Sequence, residues 1–342
     1  MRAAFAIPGD LTRLSGGYGY ARRLLREAPK LGLHLEIVPL PGGFPAPNAG
    51  ELAEARQSLS EVPANTPLII DGLAYGALPT DVIASIRAPI VALCHHPLAL
   101  ETGLTKDEAA HLCQTERAAL ASARAVITTS RATAEILRKD FAVPPEKLAI
   151  AAPGTDAAPR ATGSCGKSCR ILSVGSITPR KGHIRVIEAL ARIDPEMWSL
   201  SIVGPSPNAD YLSEVEAAIE HHGLSGKIAL RGPLSISAVT SAYQTADLFV
   251  LASEFEGFGM AFAEAMAHGL PVLGLASFAV SEATLGAAEL VSAEQFSENL
   301  ERLVRDAELR AALADRCWEA SGRLPRWPDT ASIVADLLAE VA

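Results

Sequence analysis

Residues 248–272 read LFVLASEFEGFGMAFAEAMAHGLPV. Four apolar residues at 248–251 have the length and composition of a buried strand. A loop with two glycines follows, and the pattern then turns helical from Met260 to His268. Gly269 stands where a helix C-terminal cap belongs, and Pro271 opens the next apolar run. A buried strand, a glycine loop, a helix and another buried strand make one β-α-β unit of a parallel sheet.

The alternation continues in both directions. Strands are expected at 3–7, 35–39, 68–71, 90–95, 125–129 and 148–151, then at 171–174, 199–203, 228–231, 248–251 and 271–274. Helical periodicity falls between them at 20–31, 51–60, 106–122, 132–141, 183–193, 211–222, 236–246 and 260–268, with a final helix from Trp327. Strands that alternate with helices imply parallel sheets covered on both faces. One stretch breaks the pattern: residues 153–169 are rich in Gly, Pro and Ser and have no periodicity, so they read as a linker. The expectation is an α/β chain of two doubly wound Rossmann-like domains, 1–155 and 170–326, joined by 156–169. A length of 342 residues suits two domains. Two such domains facing each other would enclose a cleft at the carboxyl ends of their strands, where open α/β sheets bind ligands.

The net charge of −9 argues against nucleic acid as a partner. Residues 1–157 hold 15 Lys+Arg and 16 Asp+Glu, a net of −1, which leaves 15 and 23, a net of −8, for the rest. Arg13, Arg22, Arg23, Arg26 and Lys30 cluster in the first part. They suit an anionic lipid headgroup at the inner membrane face, an acidic acceptor, or simply a solvated helix face. No apolar run approaches the roughly 20 residues that span a bilayer, so a cytoplasmic enzyme is the default expectation. The five cysteines follow no disulfide framework. Cys165 and Cys169 lack a second pair that would complete a zinc site.

Four motifs carry chemistry. In the first, Glu256-Gly257-Phe258-Gly259 opens a helix whose N-terminus offers N–H donors and a positive dipole to an anion. Glu256 in the loop and Glu264 in the helix can face one bound molecule, and a carboxylate suits the two hydroxyls of a ribose. The second is Val174-Gly175-Ser176-Ile177-Thr178-Pro179-Arg180-Lys181-Gly182-His183, again between a strand and a helix. Arg180 and Lys181 beside glycines fit a pyrophosphate and would stabilise a departing nucleoside diphosphate. The third, Ser15-Gly16-Gly17-Tyr18-Gly19-Tyr20, reads equally as a loop closing over a ligand or a plain turn. Arg22 occupies the third place of a dinucleotide fingerprint, so nicotinamide is disfavoured. The fourth, His95-His96-Pro97, ends a strand, where the histidines could meet sugar hydroxyls or serve structure alone. Gly166-Lys167-Ser168 is not a phosphate loop, because Ala161 stands where its first glycine belongs. No Asp-x-Asp occurs, so no metal held in that way is indicated.

On these residues the chain resembles the retaining nucleotide-sugar glycosyltransferases called group 1, or family four, of the GT-B fold. Glu256 to Glu264 with Gly269-x-Pro271-Val272 is similar to the family's Glu-x7-Glu signature, and Arg180-Lys181-Gly182 resembles its basic phosphate-binding pair. Ile127-Thr128-Thr129-Ser130, Pro153-Gly154-Thr155-Asp156, Gly16-Gly17 and His95-His96-Pro97 look like its other landmarks. The resemblance implies a metal-independent enzyme without a cofactor. It would move a sugar from a UDP- or GDP-sugar to a carbohydrate or lipid-linked acceptor in glycan, polysaccharide or glycolipid assembly. Arg180 and Lys181 would neutralise the diphosphate, with Gly16, Gly17 and Gly175 also at the donor. The backbone of Gly257, Phe258 and Gly259 would bind phosphate oxygens, and Glu264 would hold the ribose. Glu256 and His95 would lie near the transferred sugar, Glu282 resembles a later acid, and helix 327–342 would return to complete the first domain. One place departs from the family: Ser176 stands where many members carry arginine. An epimerase-like enzyme on the same fold and an inactive binding relative are the alternative readings.

Overall fold

In a computed structural model, every residue is described except Cys165 and Lys167. The Cys165–Cys169 pair and the Gly166-Lys167-Ser168 run therefore fall partly outside the described residues. The chain divides into two compact units, Met1–Gly154 with Pro325–Ala342, and Thr155–Leu324.

In the first unit, strands β1 (Arg2–Pro8), β2 (His34–Leu40), β3 (Leu68–Asp71), β4 (Ile90–Cys94), β5 (Ala125–Thr128) and β6 (Leu148–Ile150) form one sheet in the order β2-β1-β3-β4-β5-β6. Every pairing is parallel. β3, β4 and β5 are buried at every residue, as strands covered on both faces must be, whereas the edge strand β2 is partly exposed. The chain builds leftward from β1 to β2 and then resumes at β3 on the other side of β1. The topological switch point thus lies between β1 and β3.

The second unit repeats the plan with β7 (Cys169–Val174), β8 (Trp198–Val203), β9 (Ile228–Leu230), β10 (Leu248–Leu251), β11 (Val272–Leu275) and β12 (Glu289–Val291). The order is β12-β11-β10-β7-β8-β9, and all pairs are parallel. Its switch point lies between β7 and β10. β12 is not among the expected strands. Three residues, Glu-Leu-Val, show no pattern of their own, and the strand exists because Leu273, Gly274 and Leu275 of β11 supply its partners.

Two local expectations change. Residues 16–19 are not a loop: Ser15 is the N-cap and the helix Gly16–Glu27 begins at once. The glycines cost helix stability, and their missing side chains leave room for a close neighbour, described below. The stretch read as a linker is held to the second unit. Ala161 N–H donates to the His268 carbonyl at 2.7 Å, Thr162 N–H to Gln244 at 2.9 Å, and Ser164 N–H to Asp247 Oδ1 at 2.8 Å. Lack of periodicity marks an irregular backbone and says nothing about whether its donors find acceptors. The helix Trp327–Val341 packs on the first unit, as the resemblance implies. The Thr330 hydroxyl donates to the Ala152 carbonyl at 2.7 Å, and Trp327 meets Tyr20 edge to face at 5.7 Å. A Cβ on Gly154 would overlap the backbone of Trp327, so glycine there permits the contact.

Candidate functional site

The switch point of the second sheet joins the two strongest motifs. β7 ends at Val174 and leads into a turn over 175–182, and β10 ends at Leu251 and leads into the loop 252–259. Because β7 and β10 are neighbours, turn and loop lie side by side. Glu254 N–H donates to the Arg180 carbonyl at 2.9 Å, and the Arg180 guanidinium donates to the Phe255 carbonyl at 2.8 Å. Gly182, with φ +66°, touches the strand end so closely that a Cβ would overlap the Ala252 carbonyl. The Lys181 ammonium donates to Glu256 Oε1 at 2.6 Å, and Arg180 lies 3.7 Å from Glu256 Oε2. The stem of Lys181 lies over Gly175, whose Cβ would stand 3.5 Å from Lys181 Cε. Burial pushes the Glu256 carboxyl up, but the charges of Lys181 and then Arg180 more than offset this and hold it below the ordinary carboxylate range. The result is a cluster of two partly buried basic side chains around one buried carboxylate.

His183, the next residue after Gly182, is fully buried, and neither ring nitrogen has a partner. Burial, and then the charge of Lys181, push its imidazole down to about 4, so it stays neutral beside the cations.

Gly259, with φ +108°, begins the helix Met260–Ala267. Only glycine adopts this backbone without strain, and a Cβ would also press on Phe262 at 3.3 Å. Phe258 is buried beneath the loop, which leaves the loop's main chain and the helix's positive end to face an anion. Glu264 and Glu256 have different partners: Glu256 turns to Lys181, while Glu264 Oε2 accepts a hydrogen bond from the Tyr243 hydroxyl at 3.0 Å. Glu282 lies on the helix Phe278–Ala283.

The other predicted group lies one strand from the first sheet's switch point, at the ends of β3 and β4. His95 follows β4, and Asp71 ends β3. Asp71 Oδ1 accepts the Leu73 N–H at 2.9 Å, and Asp71 Oδ2 lies 3.5 Å from His95 Nε2, at the outer limit of a hydrogen bond. Tyr20 meets the His95 ring edge to face at 5.3 Å, and the Thr129 hydroxyl donates to the His95 carbonyl at 3.1 Å. Gly17 is the close neighbour: a Cβ there would stand 3.2 Å from His95 Cδ2. Gly16 is exposed at the first turn of the same helix. His96 pairs with Glu101 at 3.1 Å. Beneath this loop the buried Glu116 accepts the Leu98 N–H at 2.9 Å, and burial pushes its carboxyl up to about 8.

Asp71, Glu116 and Tyr243 escape a reading of sequence alone. An acid closing the apolar run Leu68-Ile69-Ile70 is a usable signal for Asp71. Glu116 and Tyr243 lie inside helical patterns with nothing local to mark them. The basic cluster is largely engaged within its own unit. Arg22 donates to the carbonyls of Leu11 and Arg13 at 2.6 and 2.8 Å, Lys30 and Arg26 pair with Glu27 at 2.5 and 4.0 Å, and Arg23 lies 5.2 Å over the Trp327 ring. Among the described residues no group of three or more His, Cys, Asp or Glu could hold a metal ion, and no helix is long and apolar enough to cross a membrane.

Two parallel six-stranded sheets, each with helices between its strands, are the architecture of the GT-B fold. The family model described as glycosyl transferases group 1 matches residues 155–317, and that described as glycosyltransferase family 4 matches residues 16–158. The chain belongs to this glycosyltransferase family. It is 34% identical over 165 residues to the GDP-mannose:cellobiosyl-diphosphopolyprenol alpha-mannosyltransferase of Xanthomonas campestris, covering 46% of this chain and 42% of that protein. The chain spans less than two thirds of the length of curated relatives such as this one. Sucrose-phosphate synthase from Thermosynechococcus elongatus shares the fold with a TM-score of 0.84 at 18% identity, covering 99% of this chain and 98% of that one. Anabaena Alr3699/HepE, solved in complex with UDP-glucose, shares it with a TM-score of 0.74 at 16% identity, covering 99% and 100%.

Proposed function

We propose that the chain transfers a sugar from a nucleoside-diphosphate sugar, carrying UDP or GDP, to a hydroxyl of a carbohydrate or lipid-linked acceptor, with retention at the anomeric carbon and without a metal or cofactor. The observation that carries this reading is the Lys181–Glu256 contact of 2.6 Å, which ties the basic turn to the glycine loop at one switch point. Two cations at the end of a parallel sheet, beside a helix N-terminus, suit a diphosphate whose negative charge grows as it leaves.

In the reaction, the bond from the anomeric carbon to the diphosphate oxygen breaks, and the bond to the acceptor oxygen forms on the same face. The acceptor proton passes to an oxygen of the departing phosphate. Lys181 and Arg180 stabilise that phosphate, with main-chain groups at Gly175 and at Gly257, Phe258 and Gly259 as neighbours. Glu264 holds the ribose, and Glu256 stands by the developing positive charge on the sugar. His95 of the first unit serves the sugar hydroxyls, with Gly17 close against its ring, and Gly16 and Gly17 stand at the donor. A peripheral membrane contact through Arg13, Arg22, Arg23, Arg26 and Lys30 has weaker support, since most of these groups already have partners within the chain.

The test is product stereochemistry by NMR, run with UDP- and GDP-sugars in the presence of a chelator. A product of unchanged anomeric configuration is expected, and an inverted linkage would overturn the reading. Epimerisation of the donor without any acceptor would favour the epimerase alternative.

A further inference from the structure

The helix Ile236–Thr245 precedes β10 and carries Tyr243, whose side chain is almost completely buried. Its ring lies flat against His268 at 5.0 Å with 14° between the planes, and tilted against Phe249 at 6.2 Å. His268 is itself fixed, with Nδ1 3.2 Å from the Pro159 carbonyl. The phenol therefore has little freedom to move. Its oxygen lies 3.0 Å from Glu264 Oε2 and 3.4 Å from the Ala261 carbonyl. Ala261 lies within the helix Met260–Ala267, so its carbonyl has a helical acceptor role already. A buried hydroxyl must place its proton, and the nearer carboxylate is the stronger acceptor.

We infer that Tyr243 is a positioning residue for Glu264, setting the carboxylate for the vicinal hydroxyls of the donor ribose. This rests on the reading that Glu264 holds the ribose. A vicinal diol needs both carboxylate oxygens in one orientation. A glutamate on a helix surface has three side-chain torsions to order before it can offer them. A donor locked between aromatic rings orders that carboxylate before the ligand arrives, which lowers the cost of binding. The consequence is a specific preference for ribose over 2′-deoxyribose.

The experiment titrates the full chain calorimetrically with UDP and GDP and with the 2′-deoxy form of each, comparing wild type, Tyr243→Phe and Glu264→Ala. Wild type is expected to prefer the ribose form, and Glu264→Ala to abolish that preference. Tyr243→Phe keeps the ring packing. It is expected to reduce the preference about three- to tenfold by weakening the ribose form alone, within the range of coupling between residues in contact. The double variant should bind no more weakly than Glu264→Ala. An unchanged preference in Tyr243→Phe, or equal weakening of both forms, overturns the positioning role. An intact preference in Glu264→Ala overturns the ribose reading itself.

Discussion

The two sheets reverse at different points, after one strand, β2, in the first and after two, β8 and β9, in the second, and they build different kinds of site. In the second unit the ends of β7 and β10 bring together Arg180, Lys181 and Glu256 in a tight ionised triad. In the first unit the ends of β3 and β4 bring together Asp71 and His95 at 3.5 Å, with Tyr20 and Gly17 packed on the imidazole. The triad holds permanent charge, which suits a diphosphate. The histidine site holds one looser pair, with the imidazole packed closely against a glycine and a tyrosine, and carries less charge, which suits neutral hydroxyls. The topology supplies a place for a ligand, and the side chains at the strand ends decide what class of ligand it takes.

Variants can break or sharpen this contrast. Lys181→Ala removes the charge that the proposed reaction directs at the leaving group. A loss of about 10²–10³ in kcat is expected for such a donor, with circular dichroism unchanged. Activity within a few-fold of wild type would remove the triad from the chemistry.

Glu256→Gln is more discriminating. Glu256 partly neutralises the cations proposed to bind the diphosphate, so removing its charge should tighten binding of free UDP or GDP by about tenfold while turnover falls. Weaker binding, measured by calorimetry, would show that the carboxylate supports the anion site indirectly by holding Lys181 in place.

His95→Ala should move only one of the same two measurements. Turnover is expected to fall about three- to tenfold, the range for a hydrogen bond to a neutral partner, while nucleoside diphosphate affinity is unchanged. A loss of diphosphate affinity in this variant would erase the distinction between the two sites.

The smallest effect concerns Glu116, under the histidine loop. Its carboxyl is pushed from an ordinary value near 4.5 up to about 8. Between these values the unfolded chain has lost a proton that the folded chain keeps, so stability falls as pH rises through the interval. Glu116→Gln retains an acceptor for the Leu98 N–H but cannot ionise. Its melting temperature, relative to wild type, should therefore be higher at pH 8.5 than at pH 5.5. A difference of ~1 kcal/mol corresponds to about 2–4 °C for a unit of this size. A pH-independent difference would mean that Glu116 ionises freely in the folded chain.

Much of this was legible in the sequence because local periodicity is a local property. The apolar runs at 68–71, 90–94 and 248–251 are buried strands, and the helix at 106–122 starts at a capping box formed by Thr105 and Glu108. The legible part of the site was its chemistry: cations, acids and glycines at strand–helix joints. The helical start at Gly16 was hidden because glycine signals a loop wherever it clusters. β12 was hidden because its only reason to be a strand is β11. Tyr243 was hidden because nothing in Ala242-Tyr243-Gln244 distinguishes an aromatic that fills the core from one that also orients an acid.

The sequence by itself determined the alternation of strands and helices, the places where glycine is needed, and the kinds of charge at each strand end. Those follow from side-chain periodicity and backbone sterics within a few residues. Only the tertiary structure decided which strand ends are neighbours. Lys181 and Glu256 are 75 positions apart, and they touch because the chain, after laying β8 and β9 on one side of β7, returns to place β10 on the other. Strand order is set by how whole sheets and helices bury their faces together, and no local pattern records it.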